Sequence, residues 1–436
     1  MSTVNALDPE TGQPGKEYPI LWWTTWFWAK EYEGILVDNC GLPYTCRLTH
    51  DRSVYGNTST VIFHASMFEL DTKDTPPLDA DTRKKAWILQ TAEAPMPFQR
   101  DPRWTKMFTH LWSYQFTADF VQTYFIAGRG PHSYLLSTIM KEPAFTIDGK
   151  NQKRREGLAP VAWIASNCRA HNNRHYYVKQ LLKYIDVDIY GKCLKNKEWP
   201  KNEHGKDLSA SEVVAPYKFY LAIENSNCDD YVTEKLERPL RLGVVPIVDG
   251  PKDYSPFIPT SDSVIREDAF ASPEHLAKYL HKLDNDDTAY MRHLSFKYPN
   301  GTDGKTLNHL SSGLRQAFDT GDEAGNWGKD LRGVRCNVCK LTHDLAEGFV
   351  TLDPKRQIPI DQTCEFGKWD KAAWAYDFWF WHIMFALSIV GLLLFLLTHR
   401  RARGVLMQCA NSVVSKVNRL RRKEDDEAKV PFIHMI

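Results

Sequence analysis

The sequence has almost no net charge, because 55 lysines and arginines stand against 54 aspartates and glutamates, which leaves +1. Proteins that bind nucleic acid through their overall charge are strongly basic, so this balance argues against that class. We find no internal repeat and no low-complexity tract. At 436 residues the chain is long enough to hold two domains with proper cores. Its 12% aromatic share, with 14 tryptophans, suits a carbohydrate enzyme and equally a dense core.

Residues 1–16 contain neither the basic segment nor the apolar segment of a secretion signal, although a lumenal domain should carry one. Residues 1–17 are polar and turn-rich, and we expect them to be disordered. The long apolar run lies instead at Phe378–Thr398, which has no charged residue and is long enough to cross a bilayer. A basic cluster follows at residues 400–403. The positive-inside rule therefore predicts a transmembrane helix over 377–398, a cytoplasmic basic tail over 399–436 and a lumenal region before them.

Cysteine is sparse, and nine cysteines permit disulfides without requiring them. Cys40 and Cys46 are spaced to close a small loop. The spacing of Cys336 and Cys339 suits zinc or a disulfide, and for a lumenal region we predict the disulfide between these two residues. Glycosylation sequons begin at Asn57 and Asn300, which agrees with a lumenal domain.

The most informative stretch is Tyr217–Gly250, which has the pattern of a strand, a loop, a helix and a second strand. Phe219–Ile223 is an apolar run of strand length. A helix is predicted to start near Asp229 or Asp230 and to end at Gly243, followed by a strand over 244–248. In such a unit the helix N-terminus suits a phosphate, and Lys235 would add a full charge. An ordinary βαβ unit with a polar loop is the alternative.

The letters of this stretch, ENSNCDDYVTEKL followed by RPLRLGVVPIVDGP, closely resemble the signature of glycosyltransferase family 10, the α1,3-fucosyltransferases. The nearest branch is that of the fucosyltransferase 10/11-type enzymes, regarded as protein O-fucosyltransferases. The resemblance covers roughly residues 19–365. It implies a GT-B fold of class α/β, with two Rossmann-like domains facing a cleft. We expect an acceptor-side domain over 18–150, a GDP-fucose-binding domain over 158–325 and a cysteine-containing stem over 326–376, with a charged linker loop at 151–157.

The implied reaction is an inverting transfer of L-fucose from GDP-fucose, in α1,3 linkage to the GlcNAc of a glycan or glycoprotein. Alternatives are protein O-fucosylation on Ser or Thr, or a catalytically silent membrane protein that binds GDP-fucose or glycoprotein. The resemblance also implies a Golgi or endoplasmic reticulum membrane and no required cofactor, although a divalent metal could stimulate. Asp186 and Asp188 resemble a metal motif, but they alternate with apolar residues as in a half-exposed strand, so we predict no metal site.

Site residues follow from the same resemblance, position by position. Glu93 lies where the family has its general base, although a solvated surface carboxylate is the ordinary reading of such a loop residue. Tyr114 and Asp119 match the acceptor side, where Gln115 replaces a usual arginine. Donor contacts are implied for a larger set: Ser166, Asn167, Arg174, Lys192, Glu224, Asn225, Ser226, Tyr231, Glu234 and Lys235. Within it, Arg174 is assigned to the diphosphate, and Tyr231 and Glu234 to the fucose and ribose.

Overall fold

The structure, a computed structural model, divides into a unit over 1–369 and a second over 370–436. It describes residues 15–25, 33–38, 40–68, 75–76, 84–95, 102–124, 139, 141–298, 331–353, 355–360, 363–365, 368–369, 387–388, 390–391 and 415. Among these residues, no helix combines the length and the apolar character that crossing a membrane requires. The predicted span over 377–398 and the tail fall almost wholly outside this described part, as does Asn300.

The first sheet has seven strands, ordered β2-β3-β1-β4-β5-β6-β7, and only the β2–β3 pair is antiparallel. Its strands are β1 (Glu17–Trp22), β2 (Leu36–Val37), β3 (Thr45–Thr49), β4 (Thr60–His64), β5 (Ala86–Thr91), β6 (His110–Ser113) and β7 (Phe120–Val121). Alternate residues of β4 enter different cores: Ile62 packs with Trp22 and Ile88 on one face, whereas Val61 and Phe63 pack on the other. Strands covered on both faces need continuous apolar runs, and β4 and β5 are buried along their whole length.

The second sheet has five strands, all parallel, ordered β12-β11-β10-β8-β9. They are β8 (Val161–Ala165), β9 (Val187–Gly191), β10 (Phe219–Ile223), β11 (Val245–Asp249) and β12 (Ile265–Arg266). The strand order reverses between β8 and β10, and ligands of doubly wound sheets bind outside the carboxyl ends of the strands at such a reversal. The α/β class with two Rossmann-like sheets is therefore confirmed.

Eight α-helices are described, and α2, α3 and α5 matter most for the site. Their bounds are α1 (Pro102–Met107), α2 (Ile147–Arg155), α3 (Arg174–Leu181), α4 (Ala210–Val214), α5 (Glu234–Leu242), α6 (Pro273–Asp284), α7 (Asp287–Arg292) and α8 (Leu331–Ala346). The predicted loop at 151–157 is wrong, because most of it belongs to α2, where Lys150 is buried and donates to the carbonyls of Tyr217 (2.6 Å) and Gly243 (2.8 Å).

Helix α5 begins later than predicted. Its N-cap is Thr233, whose hydroxyl accepts from the Lys235 N–H, rather than Asp229 or Asp230. Asp230 instead has a left-handed backbone with φ 62°, which ends any helix at that point. The predicted end at Gly243 is confirmed, with φ 70° at the C-cap.

The predicted disulfide between Cys336 and Cys339 is wrong, and so is the small loop closed by Cys40 and Cys46. The four cysteines form Cys40–Cys336 and Cys46–Cys339, each with a Cα–Cα distance of 5.6 Å. Both Cys336 and Cys339 lie on α8, and residues three apart on a helix share one face. That face packs against the first sheet, so the segment predicted as a stem contributes to a domain core. Cys168–Cys193 and Cys228–Cys364 were not predicted.

We predict strongly non-additive losses when the two α8 disulfides are removed. With Cys40–Cys336 intact, the Cys46–Cys339 bond closes only a short additional loop, so its removal by serine substitution should cost about 2–3 kcal/mol. Removing the remaining bond then releases a loop of 296 residues in sequence and should cost about 5 kcal/mol more. Urea unfolding of the two paired serine variants and the fourfold variant measures both steps. Equal losses at the two steps would contradict the loop-closure account.

Candidate active site

Glu93 lies in the loop that follows β5, at the carboxyl end of the first sheet, and is half-buried. Its Oε1 accepts a hydrogen bond from the Tyr124 hydroxyl (3.0 Å) and its Oε2 one from the Tyr231 hydroxyl (2.8 Å). Tyr231 belongs to the loop after β10, so the carboxyl ends of the two sheets meet at this carboxylate. The ring of Tyr231 packs on that of Tyr114, with centroids 4.9 Å apart.

The structure thus brings together three residues that were predicted separately: Glu93, Tyr114 and Tyr231. Burial, followed by the nearby Glu93 charge, raises the pKa of both tyrosine hydroxyls that contact the carboxylate, so these hydroxyls remain protonated donors. Tyr124 was not predicted, because it follows the two-residue strand β7, which is too short to form a pattern.

Lys235 is held by carboxylates at the start of α5. Its ammonium lies 2.9 Å from Glu224 Oε2 and 3.5 Å from Glu234 Oε1. Burial would lower the pKa of Lys235, but the charges of Glu224 and Glu234 outweigh it and raise the pKa. Glu224 Oε1 also accepts from the backbone N–H of Thr233 and from its hydroxyl, both at 2.8 Å. A charged pair therefore fixes the junction between β10 and α5.

The other predicted donor residues lie at the carboxyl ends of β8, β9 and β10. Ser166, Asn167 and Lys192 are exposed there, whereas Ser226 is buried, with its hydroxyl 3.1 Å from His171 Nδ1. Asn225 is half-buried, and its Oδ1 has no hydrogen-bond partner in the described part of the chain. These residues surround the strand-order reversal, where a nucleotide is expected.

Arg174 is the first residue of α3. It is only 3% exposed, and its Nη1 donates to the carbonyl of Ile223 (2.5 Å) at the end of β10. Its Nε is buried, with no hydrogen-bond partner among the described residues. Arg174 therefore joins α3 to β10.

A chain of buried polar side chains near this edge was also not predicted. Asn172 donates to the carbonyl of Glu224 (2.9 Å) and to Asn227 Oδ1 (2.8 Å), and Asn227 in turn donates to Asp249 Oδ1 (2.7 Å). Lys368, from a segment far along the chain, pairs with the same Asp249 oxygen at 2.5 Å. The asparagines look unremarkable in sequence, and their role follows only from the convergence of the strand ends.

Asp119, which was predicted on the acceptor side, and the nearby His110 have partners within the fold. Asp119 accepts from the N–H of Leu111 (2.9 Å) and forms an ion pair with Arg356. His110 is buried and stacks on Phe120, with ring centroids 5.8 Å apart. Of the two residues predicted on the acceptor side, Tyr114 is the one whose ring contacts Tyr231 in the Glu93 cluster.

Asn57 is exposed beside a short 3₁₀ turn, so this sequon is accessible. Asp188 lies on β9, as the alternation predicted, and bonds to Lys197 and to the Tyr217 hydroxyl. Within the described residues, no group of three or more histidine, cysteine or acidic side chains is arranged to hold a metal ion.

Two mostly parallel α/β sheets whose carboxyl ends converge on one carboxylate suit an enzyme that binds a nucleotide at the strand ends and uses a general base there. The model of glycosyltransferase family 10 (fucosyltransferase), C-terminal part, matches residues 151–312, and that of the fucosyltransferase N-terminal part matches residues 15–125. The chain belongs to glycosyltransferase family 10, the fucosyltransferases.

Similar curated proteins carry the name GDP-fucose protein O-fucosyltransferase 3. The one from Xenopus laevis is 32% identical over 343 residues, which cover 74% of this chain and 67% of that protein. The one from Canis lupus familiaris is 34% identical, covering 78% and 69%. The human one is 37% identical over 216 residues, covering 48% and 44%. A solved α1,3-fucosyltransferase with GDP-fucose has 16% identity and a TM-score of 0.42, covering 68% of this chain and 87% of that one.

Proposed function

We propose that the protein transfers fucose from GDP-fucose to a serine or threonine hydroxyl of a protein acceptor, with inversion at the anomeric carbon. The observation that carries the proposal is the 2.8 Å contact between Glu93 and Tyr231, which joins a base candidate to the edge where a nucleotide sugar is expected. A general base must lie within hydrogen-bond reach of the acceptor proton, and the transferred carbon must be adjacent.

The chemistry assigned to the chain is one displacement. The acceptor hydroxyl donates to Glu93, its oxygen forms the new bond to the fucose anomeric carbon, and the bond to the GDP oxygen breaks. The proton passes to Glu93, and the leaving GDP keeps the electron pair. Tyr231 and Glu234 orient the fucose and ribose, while the charges of Lys192 and Arg174 offset the charge on the diphosphate. We propose that these groups act without a required metal.

The acceptor class is inferred from the relatives, since the similar curated proteins are named protein O-fucosyltransferases. The loop predicted on the acceptor side differs from the usual family pattern at one residue. Gln115, which replaces the usual arginine, is buried and donates to the carbonyl of Pro359 (3.0 Å), so it is engaged within the fold. Transfer in α1,3 linkage to GlcNAc is the second candidate, from the resemblance to the α1,3-fucosyltransferases.

The test uses the full chain with labelled GDP-fucose and two acceptors, a folded protein domain and a GlcNAc-terminated glycan, with and without EDTA. Label on Ser or Thr supports the proposal, and label only on GlcNAc replaces it with the second candidate. Proton NMR of the product determines the anomer. A chain that binds GDP but transfers to neither acceptor would be a silent binder.

We further propose that residues before 377 reside in the lumen of the Golgi or endoplasmic reticulum, at the membrane predicted from the apolar run at 378–398. The disulfides within the described residues favour an oxidising compartment. Asn57 is exposed, so it should carry an N-glycan in cells. A glycosidase-sensitive mass shift that disappears in Asn57→Gln checks this, and Thr58→Ser, which keeps a valid sequon, is the matched control. An unshifted wild-type chain whose cysteines are reduced in cells would contradict the lumenal placement.

A further inference from the structure

Asp230 combines an unusual backbone with a contact between the two sheets. It is one of three non-glycine residues with positive φ in the described part of the chain, at 62°. This region costs an ordinary residue about 1 kcal/mol or more, and aspartate and asparagine tolerate it better than most. The turn is closed locally by the Val232 N–H, which donates to the Asp230 carbonyl at 3.0 Å.

The Asp230 side chain reaches across to the first sheet. Its Oδ2 accepts from the backbone N–H of Phe116 (2.9 Å), in the loop between β6 and β7. The Phe116 ring stacks on Phe257, in the loop after β11, with centroids 5.5 Å apart and planes 14° apart. The loop that carries Tyr114 is thus fastened to the second sheet at two points.

The next residue along the chain, Tyr231, is buried and contacts Glu93. Two residues before Asp230, Cys228 forms a disulfide with Cys364. Between these fixed points Asp230 is the residue with a left-handed backbone, within a turn that the Tyr231 N–H also closes by donating to the Cys228 carbonyl (3.3 Å). Its conformation therefore influences the direction in which Tyr231 leaves the turn.

We propose that Asp230 is a positioning residue: its left-handed turn and its bond to the Phe116 amide together set the distance between the donor-side loop and Glu93. This inference rests on the proposed fucose transfer and deepens it. A misplacement of about 1 Å in a site of this kind can cost up to about 100-fold in rate.

Three substitutions separate the two contributions. Asp230→Asn keeps both a residue that tolerates positive φ and an acceptor oxygen. Asp230→Gly keeps the backbone but removes the acceptor, and Asp230→Ala removes both. Asp229→Ala is the matched control, because it removes one charge from an exposed neighbour in the same loop.

We expect Asp230→Ala and Asp230→Gly to lower kcat by roughly 10–100-fold with the Kd for GDP within about twofold of wild type. Asp230→Asn and Asp229→Ala should stay within about threefold of wild type in both quantities. Hydrogen exchange at the Phe116 amide should accelerate in the alanine and glycine variants only, a readout that needs no activity. If the alanine variant does not fold, the glycine and asparagine variants decide.

Wild-type kcat in Asp230→Gly would overturn the role of the Phe116 bond. Parallel losses of kcat and GDP affinity would reduce Asp230 to a residue of general structural importance, and poor activity in Asp230→Asn would do the same. A wild-type chain that never transfers fucose would instead refute the proposed function. The exchange rates would still report whether Asp230 holds the Phe116 amide.

Discussion

Substituting Glu93 by glutamine is expected to lower kcat for fucose transfer by roughly 10²–10⁴-fold while leaving the Kd for GDP within about twofold of wild type. Glutamine has nearly the same shape, and its carbonyl oxygen can still accept from Tyr124 or Tyr231. It cannot take the acceptor proton. The site should therefore bind donor and fail at the chemical step.

Glu198→Gln is the matched control, since Glu198 is paired only with Lys195 in the described residues and its side chain is 88% exposed. Calorimetry with GDP and a transfer assay on the same preparations separate binding from turnover. An active Glu93→Gln enzyme would remove Glu93 from the mechanism. Loss of GDP binding in that variant would show that Glu93 supports the donor site as well.

The elements nearest the site could be predicted because each is encoded locally. β10, the end of α5 at Gly243 and β11 lie within one stretch of 34 residues, where apolar period and turn residues act over a few positions. The start of α5 was misplaced because two aspartates that looked like N-caps precede Thr233. The real cap uses Thr233, and Asp230 serves a turn that only its φ of 62° reveals.

Contacts between distant segments could not be predicted in the same way. Glu93 and Tyr231 were each assigned a role, but they lie 138 positions apart in sequence. Their hydrogen bond depends on how the two sheets meet. The pairing of the α8 cysteines was predicted wrongly for the same reason. The CxxC spacing is compatible with several pairings, and only the docking of α8 on the first sheet selects Cys40 and Cys46 as partners.

The role of Lys235 changed most between sequence and structure. As a free cation it would be a donor ligand whose loss weakens GDP binding alone. In the structure its ammonium pairs with Glu224, whose side chain is 2% exposed. Removing one member of a buried ion pair leaves the other charge uncompensated, which typically costs about 3–5 kcal/mol.

Lys235→Met should therefore destabilise the fold by about 3–5 kcal/mol at pH 8. Burial raises the pKa of Glu224 and Lys235 opposes that shift, so loss of the lysine raises the pKa further. A folded-state pKa above the unfolded value gives stability that is fully present at low pH and is lost as the pH rises through the folded pKa. The variant should thus lose less at pH 5 than at pH 8. Urea midpoints at the two pH values measure the difference.

The double variant Glu224→Gln with Lys235→Met completes the test, because it removes both charges and keeps an acceptor for the Thr233 N–H. We expect it to recover most of the stability that Lys235→Met loses at pH 8, and to show little dependence on pH. Independent losses that simply add in the double variant would contradict a coupled pair. Calorimetry on the recovered double variant then isolates the donor role. A Kd for GDP near that of wild type would mean that Lys235 shapes the β10–α5 junction, whereas a Kd raised by roughly 10-fold or more would mean that its charge also reaches the diphosphate.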